Sequence, residues 1–357
     1  GEPELFLDHE RPLSSCPAGP LGVRRAPPMR IGIIGVGAIG GVLAARLLAS
    51  RRDGEQIALA AGRSTPAIRE KGLRIEGEAA VLAVEVSERL DGSSCDVLFL
   101  CTRTDDIETA LGPAARLLGP DAAVVCVQNG LPEERAARIV GADRVLGAVI
   151  GWSASAKGPG EYRITGGGKF TLGAITAAGE SRVGPVADLL GRAFPVKRTA
   201  NLMGARWSKL AMNCALSTLG AVSGLDFGGL AASRDARELA VIAVREAVQV
   251  ARAKHVRLER VAGVDPSWVV GGGPIAHLLI RIAAGLRPRQ RSGMLVRLLE
   301  GRPAGQIDDL NGAVVRAGRE AGVAAPLNAR LVDLVHAIER GEERLGPHQL
   351  AALRAAR

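Results

Sequence analysis

"MRIGIIGVGAIGGVLAARLL", residues 29–48, passes from an apolar run through spaced glycines into a helical pattern. "RIGIIGV" reads as a strand buried on both faces. In "AIGGVLAARLLAS", Ile39, Val42, Leu43 and Leu47 fall near helical spacing. Between the two lie Gly35, Gly37 and Gly40, in the order G-x-G-x-x-G. In a strand–turn–helix context the first glycine permits a tight turn. The second lets backbone approach a pyrophosphate, and the third lets the helix pack on the strand. The free N–H groups and dipole of the helix start then favour an anion. Close packing at a βα corner would explain the glycines without a ligand. The strand that follows the helix favours a dinucleotide cradle.

The pattern repeats downstream. "QIALAAG" and "DVLFLCT" read as strands, "DDIETALGPAARLL" as a helix, and "AAVVCVQNG" as a strand ending in a turn. "ERAARIVG" is helical and "RVLGAVIGWSA" extended, and "GEYRITGGGKFTLG" has the look of a hairpin with a glycine corner. Strands alternating with helices of this length predict βαβ units and a parallel sheet. After about residue 200 the 3.6-residue period takes over, as in "RWSKLAMNCALSTLGAV", "ARELAVIAVREAVQVARAKHV", "DDLNGAVVRAGREAG" and "NARLVDLVHAIERG". The expected fold is α/β: a Rossmann-type dinucleotide-binding domain over 29–199, then an all-α domain over 200–345. Residues 1–28, rich in proline and charge with no apolar h-region, are expected to be a disordered extension, and 346–357 a tail.

Composition limits the function classes. The 357 residues suit two domains, and with 3% aromatics the core must be Ala, Val, Leu and Ile. The net charge of +9 comes from arginines scattered along the chain, without a basic stretch interleaved with aromatics. Nucleic acid is therefore not the expected partner, and small anionic ligands are. The cysteines (Cys16, Cys95, Cys101, Cys126, Cys214) form no CxxC pair, and the histidines do not cluster. No metal is expected, and reduced thiols suit a cytoplasm. No stretch is apolar enough to span a membrane. The strand "IALAAGR" ends in Gly62 and Arg63 rather than in an acid, and Glu55 comes too early to reach a ribose. A guanidinium there suits the 2′-phosphate of NADPH.

Several segments, taken in order, resemble the ketopantoate reductase (2-dehydropantoate 2-reductase) family. They are the glycine turn Gly35–Gly40, "AGR" at 61–63, "IREKGLRI" at 68–75, "QNG" at 128–130 and "RWSKLAMNCALSTLGA" at 206–221, with "GRPAGQIDDLNG" at 301–312 and "GVAAPLN" at 322–328. The resemblance covers about residues 29–342. It implies NADPH-dependent reduction of a 2-oxo acid to a 2-hydroxy acid, in a cleft between the two domains, on the way to pantothenate. Lys209 matches the family's catalytic lysine, and Asn213, one helical turn on, its substrate-binding asparagine. Ser217 and Ser292 join the expected substrate set, and Asn129 is expected to serve both substrate and cofactor. The expected cofactor contacts are Gly35, Val36, Gly37, Ala38, Ile39, Gly40, Arg63, Arg103, Asn129, Ala154 and Gln306.

Each site residue also has an ordinary explanation: a surface lysine on an amphipathic helix, a solvated loop arginine, a type I′ turn asparagine. The chain also departs from the family pattern. Ser217 stands where a second asparagine is usual, and Arg103 where lysine is. "SGM" at 292–294 replaces "SSM", and "GQID" replaces "TEID" with an apparent extra residue in the loop. Two alternatives follow: the same fold acting on another 2-oxo acid or ketone, and a non-catalytic NADP(H)-binding sensor. A homodimer through the helical domain is a further expectation.

Overall fold

A computed structural model describes residues 29–81, 84–92, 94–260 and 263–355; the expected extension 1–28 lies outside the described residues. The strands are β1 (Arg30–Ile34), β2 (Gln56–Ala60), β3 (Arg74–Ile75), β4 (Glu85–Ser87), β5 (Cys95–Leu100), β6 (Leu118–Cys126), β7 (Val145–Ile150), β8 (Ser153–Gly158), β9 (Glu161–Gly166), β10 (Phe170–Ala174) and β11 (Val196–Arg198). The helices of the first half are α1 (Ala38–Ala49), α2 (Thr65–Lys71), α3 (Ile107–Ala114), α4 (Glu133–Val140) and α5 (Val183–Gly191). Those of the second half are α6 (Leu202–Ser223), α7 (Phe227–Ala232), α8 (Arg234–Ala253), α9 (Gly273–Gly285), α10 (Gly293–Leu299), α11 (Asn311–Glu320), α12 (Pro326–Glu339) and α13 (His348–Ala355).

The main sheet has the order β11-β10-β7-β6-β5-β1-β2-β4. From β7 to β4 every pairing is parallel, and only β10 against β7 is antiparallel. The apolar runs lie in register: Ile33 is opposite both Leu59 and Phe99, and all three are fully buried. The chain leaves β1 toward β2 and returns on the other side at β5. That reversal opens a crevice at the carboxyl ends of the strands, where ligands bind in such sheets.

The "GEYRITGGGKFTLG" hairpin expected from the sequence does not form. Its two strands join different sheets. β9 pairs with β8 in a small β3-β9-β8 sheet over α1, while β10 enters the main sheet beside β7. Burial decides the partners. Tyr162 of β9 seats its ring against Gly41 of α1, where a methyl would come within 2.0 Å of the ring. Phe170 of β10 packs edge-on to Trp152 and Phe194, with centroids 5.6 and 5.1 Å away. The extended run 144–154 is likewise broken at Gly151, between β7 and β8.

In the helical half, α6 and α8 form the central pair, and their facing side chains, including Trp207, Leu210, Cys214, Leu239 and Val244, are buried. Asn201 caps the start of α6 by accepting from Gly204 N at 3.1 Å, and Gly224 ends it in the left-handed region at φ 71°. Residues 348–355 are not a tail. They form α13, which packs Leu350 and Leu353 onto the α6–α8 pair. Two leucines three apart give this short Ala-rich segment enough of an apolar face to dock. The exposed side of α9 presents Ile275, Leu278 and Ile282. No helix among the described residues is long and apolar enough to cross a membrane, and Cys95, Cys101, Cys126 and Cys214 are free thiols.

Candidate active site

The three glycines of the turn have different causes. Gly35 has φ +93°, and a Cβ there would lie 2.7 Å from the backbone of Cys101 and Thr102. A Cβ on Gly40 would come within 1.9 Å of Gly35 O. These two are demanded by the fold itself. Gly37 is exposed and has nothing within 4 Å of a would-be Cβ, so packing does not account for it. It is the N-cap of α1 and caps nothing with a side chain. The open space lies where the first N–H groups of α1 point outward, the geometry a diphosphate requires. Tyr162 supports the turn from beneath, its hydroxyl donating to Val36 O at 3.0 Å. Ala38 and Ile39 open α1, half-buried beside the turn.

Beside the turn is a cleft of about 260 Å³ walled by Ile34, Ala60, Leu90, Thr102 and Ala110. Its largely apolar lining and its place at the ends of β1, β2 and β5 suit the adenosine half of a dinucleotide. Gly62 is part of the lining, and Arg63 follows it in a short 3₁₀ turn, exposed and without an ion pair among the described residues. A guanidinium so placed is free to meet an added phosphate. Ala154 lies in β8, half-buried in the small sheet that runs past α1.

Lys209 stands at the junction of the two halves. Its Nζ donates to Ile150 O, the last carbonyl of β7, at 2.8 Å. Burial, then the neighbouring Arg206 guanidinium, brings its pKa from 10.5 down to about 7. Asn213 and Ser217 follow on the same stripe of α6 at four-residue steps, both half-buried and neither hydrogen-bonded among the described residues. Ser292 comes next along that helix: a Cβ on Gly220 would lie 3.8 Å from its Oγ. That oxygen already accepts from Leu295 N at 3.1 Å and caps α10. Its own hydrogen remains available. The stripe is therefore one ammonium followed by neutral donors, a set that can hold an oxo group and a carboxylate.

A second contact closes the cleft nearer the cofactor turn. Asn129 Nδ2 donates to Gln306 Oε1 at 3.2 Å across the two halves. Arg103, exposed, is 3.4 Å from Asp105 and lines the same groove as Gln306, Asp309 and His336. His336 bridges Glu339 at 2.9 Å and Asp308 at 3.2 Å. Burial opposes its charge, but these carboxylates carry its pKa above the ordinary value. Burial, with Asp105 nearby, raises Asp309 to about 6. Backbone meets backbone here as well: Gly130, at φ +80°, has no room for a Cβ because Asp309 O would be 2.4 Å away.

The sequence reading missed Arg206 and Glu133. Arg206 is 2% exposed and Glu133 1%. The guanidinium donates to Glu133 Oε1 (2.7 Å), Gln128 O (2.6 Å) and Cys126 O (2.8 Å). It thereby ties α6 to the carboxyl end of β6 and the start of α4. Burial pushes the Glu133 carboxyl up, and the guanidinium pulls it back. One signal was present in the sequence: an arginine on the otherwise apolar face shared by Leu202 and Leu210. Glu133, in the first turn of a helix, looks like an ordinary helix-start acid.

The "Ketopantoate reductase PanE/ApbA" family model matches residues 31–177, and the family's C-terminal model matches 201–339. The 2-dehydropantoate 2-reductase of Mesorhizobium japonicum is 28% identical, over 88% of this chain and 99% of that relative. The enzyme of the same name from Pyrococcus horikoshii is also 28% identical, over 87% and 98%. Among solved structures, a PanE/ApbA family ketopantoate reductase from Ralstonia eutropha superposes with a TM-score of 0.74 at 28% identity, covering 88% of this chain and 99% of that one. A D-mandelate dehydrogenase solved with NADH and anilino(oxo)acetate shares the fold, with a TM-score of 0.77 at 23% identity over 88% and 99%. With both domain models matched in order across most of its length, the chain belongs to the ketopantoate reductase family of oxidoreductases.

Proposed function

We propose that the protein reduces a 2-oxo acid to the 2-hydroxy acid with NADPH in the cytoplasm, and that ketopantoate, giving pantoate, is its first substrate. The observation that carries this reading is Lys209, a lysine with a pKa of about 7 held at the carboxyl edge of the sheet with Asn213 and Ser217 behind it. When bound, NADPH supplies a hydride. The chain supplies the rest. Gly35–Gly40 cradle the diphosphate, Arg63 pairs with the 2′-phosphate, and Arg103, Asn129, Ala154 and Gln306 complete the cofactor's surroundings. Lys209 polarises the ketone and protonates the oxygen that becomes the hydroxyl, while Asn213, Ser217, Ser292 and Asn129 orient the substrate. A lysine acting as acid must be protonated, so kcat/KM is expected to fall as pH rises through about 7.

NADPH oxidation with ketopantoate beside a branched and an unbranched 2-oxo acid tests the reading. Lys209→Ala is expected to bind NADPH as the parent does and to lose roughly two or more decades of kcat. Retention of most of the turnover would make Lys209 structural. A second substrate is favoured by one observation: the "TEID" glutamate is replaced by Gln306, whose amide oxygen is taken up by Asn129. The panel of oxo acids decides between the two. A homodimer through the helical domain belongs to the same proposal, and the mass in solution by light scattering tests it.

A further inference from the structure

The reductase reading leaves one buried group unexplained. Arg206 precedes Lys209 by three residues on α6, so the two cations share a helix face. Each reaches the carboxyl end of a different strand: Arg206 the carbonyls of Cys126 and Gln128 at the end of β6, Lys209 that of Ile150 at the end of β7. These strands are parallel neighbours, with Cys126 opposite Gly147. The helix is thus pinned across the edge of the sheet by two polar contacts, beside the packing of Leu202 and Ala205 on Val149. One is a guanidinium with three bonds in a dry site, the other an amine with one.

An arginine this deeply buried is costly without a partner. Glu133 supplies it from α4, and Glu133 in turn has room only because residue 147 is glycine, where a Cβ would lie 2.4 Å from Glu133 Oε1. The charged group that acts on Lys209 is Arg206 on its own helix, and Arg206 in turn faces Glu133 on α4 and the Cys126 thiol of β6, which burial keeps protonated.

We infer that Arg206, anchored by Glu133, is the positioning residue for Lys209: it fixes the register of α6 on the sheet edge and so delivers the amine to Ile150 O and to the substrate. This rests on the reductase reading for its catalytic consequence but not for its geometry. Arg206 is buried, with its guanidinium taken up by Glu133 and the carbonyls of Gln128 and Cys126. It acts by removing alternatives, since without its bonds to β6 the helix could turn or lift and the amine would lose its fixed distance. Its positive charge also disfavours a second cation three residues away, which keeps part of the amine population free.

Two measurements on the full chain separate this from a merely structural pair. The first needs no substrate: acetic anhydride labelling of Lys209 across pH, read from its peptide by mass spectrometry. Arg206→Met should raise the labelling midpoint, lowering the rate at pH 7 roughly fivefold if the change is about one pKa unit. Glu133→Gln keeps an oxygen for Arg206 but leaves its charge unbalanced, so the midpoint should move down. The second is turnover. Arg206→Met should lower kcat roughly tenfold or more while leaving the NADPH dissociation constant within about twofold. Arg206→Lys should restore part of that loss. If Arg206→Met folds with the parent's labelling profile and kcat, the inference is wrong. If it does not fold, Glu133→Gln decides alone, and an unmoved midpoint there overturns it. Should Lys209→Ala retain parental kcat, the reductase reading fails, and the labelling experiment still decides on Arg206.

Discussion

Two of the joints between the domains are built on opposite principles. At one, Arg206 and Glu133 are sealed from water and bonded to each other, and the guanidinium also donates to two carbonyls at the end of β6. At the other, Asn129 and Gln306 touch through one 3.2 Å bond, beside exposed Arg103 and a histidine bridging two carboxylates. A dry joint admits one geometry, because any displacement leaves a buried charge unpaired. A wet joint lets water replace each lost bond at little cost. Lys209, the acid of the proposed function, sits beside the dry joint. Arg103, Asn129 and Gln306, three of the residues proposed to contact the cofactor, sit beside the wet one. On the proposed function, rigidity would lie where chemistry needs a distance, and a yielding contact where part of the cofactor binds.

The contrast can be broken most decisively at the dry joint. Glu133→Ala leaves the Arg206 charge buried without its carboxylate and should destabilise the protein by about 3–5 kcal/mol, read by urea denaturation. A loss under about 1 kcal/mol would mean that water enters and that the two joints are alike. Next in size is the open cofactor side. Arg63→Ala should raise the NADPH dissociation constant roughly tenfold or more, the scale of a lost charge-assisted bond, and leave NADH nearly unchanged in the same titration. Equal affinity of the parent for both cofactors would remove Arg63 from the site. The smallest effect is expected at the wet joint. Gln306→Glu can still accept from Asn129 and brings a charge toward Arg103, so stability should change by less than about 1 kcal/mol while kcat/KM for ketopantoate rises. A large stability change there would show that the rim is as unforgiving as the interior.

Lys209 also sharpens the contrast through pH. Its folded pKa of about 7 lies below the 10.5 of a free lysine, so the unfolded chain binds the extra proton between those values. The stability cost of burying this amine is present in full below about pH 7 and is relieved as pH rises toward 10.5. His336 and Asp309 at the wet joint are both shifted upward. The histidine's contribution is therefore lost as pH rises through its raised pKa, the reverse dependence.

What the sequence made legible follows from the range of the interactions involved. The glycine turn was readable because strand, turn and helix are contiguous and their periods are local. Lys209, Asn213 and Ser217 were readable as a stripe because a helix converts four-residue spacing into one face. The β9–β10 hairpin was misread for the opposite reason. The glycine run 166–168 does turn the chain, but the partner of each strand was set by where Tyr162 and Phe170 find burial, far away in sequence. The Arg206–Glu133 pair spans 73 residues, and nothing local to either announces the other. Ser292 shows a subtler limit: its identity is equally suited to capping α10 and to touching substrate, and the geometry gives it the first task outright.

The dry joint has a consequence for how such proteins can be recombined. Its two charges come from separate halves of the molecule, Glu133 before β7 and Arg206 within α6. A chimera that takes its nucleotide-binding half from one relative and its helical half from another would inherit the pair only if both parents carry it. With one member missing, a charge is stranded at the seam, and the fusion would fail for a reason that neither parent reveals by itself. The natural crossover for exchange therefore lies after α6 rather than at the apparent boundary near residue 200, so that carboxylate, guanidinium and the lysine beside them travel as a single cassette.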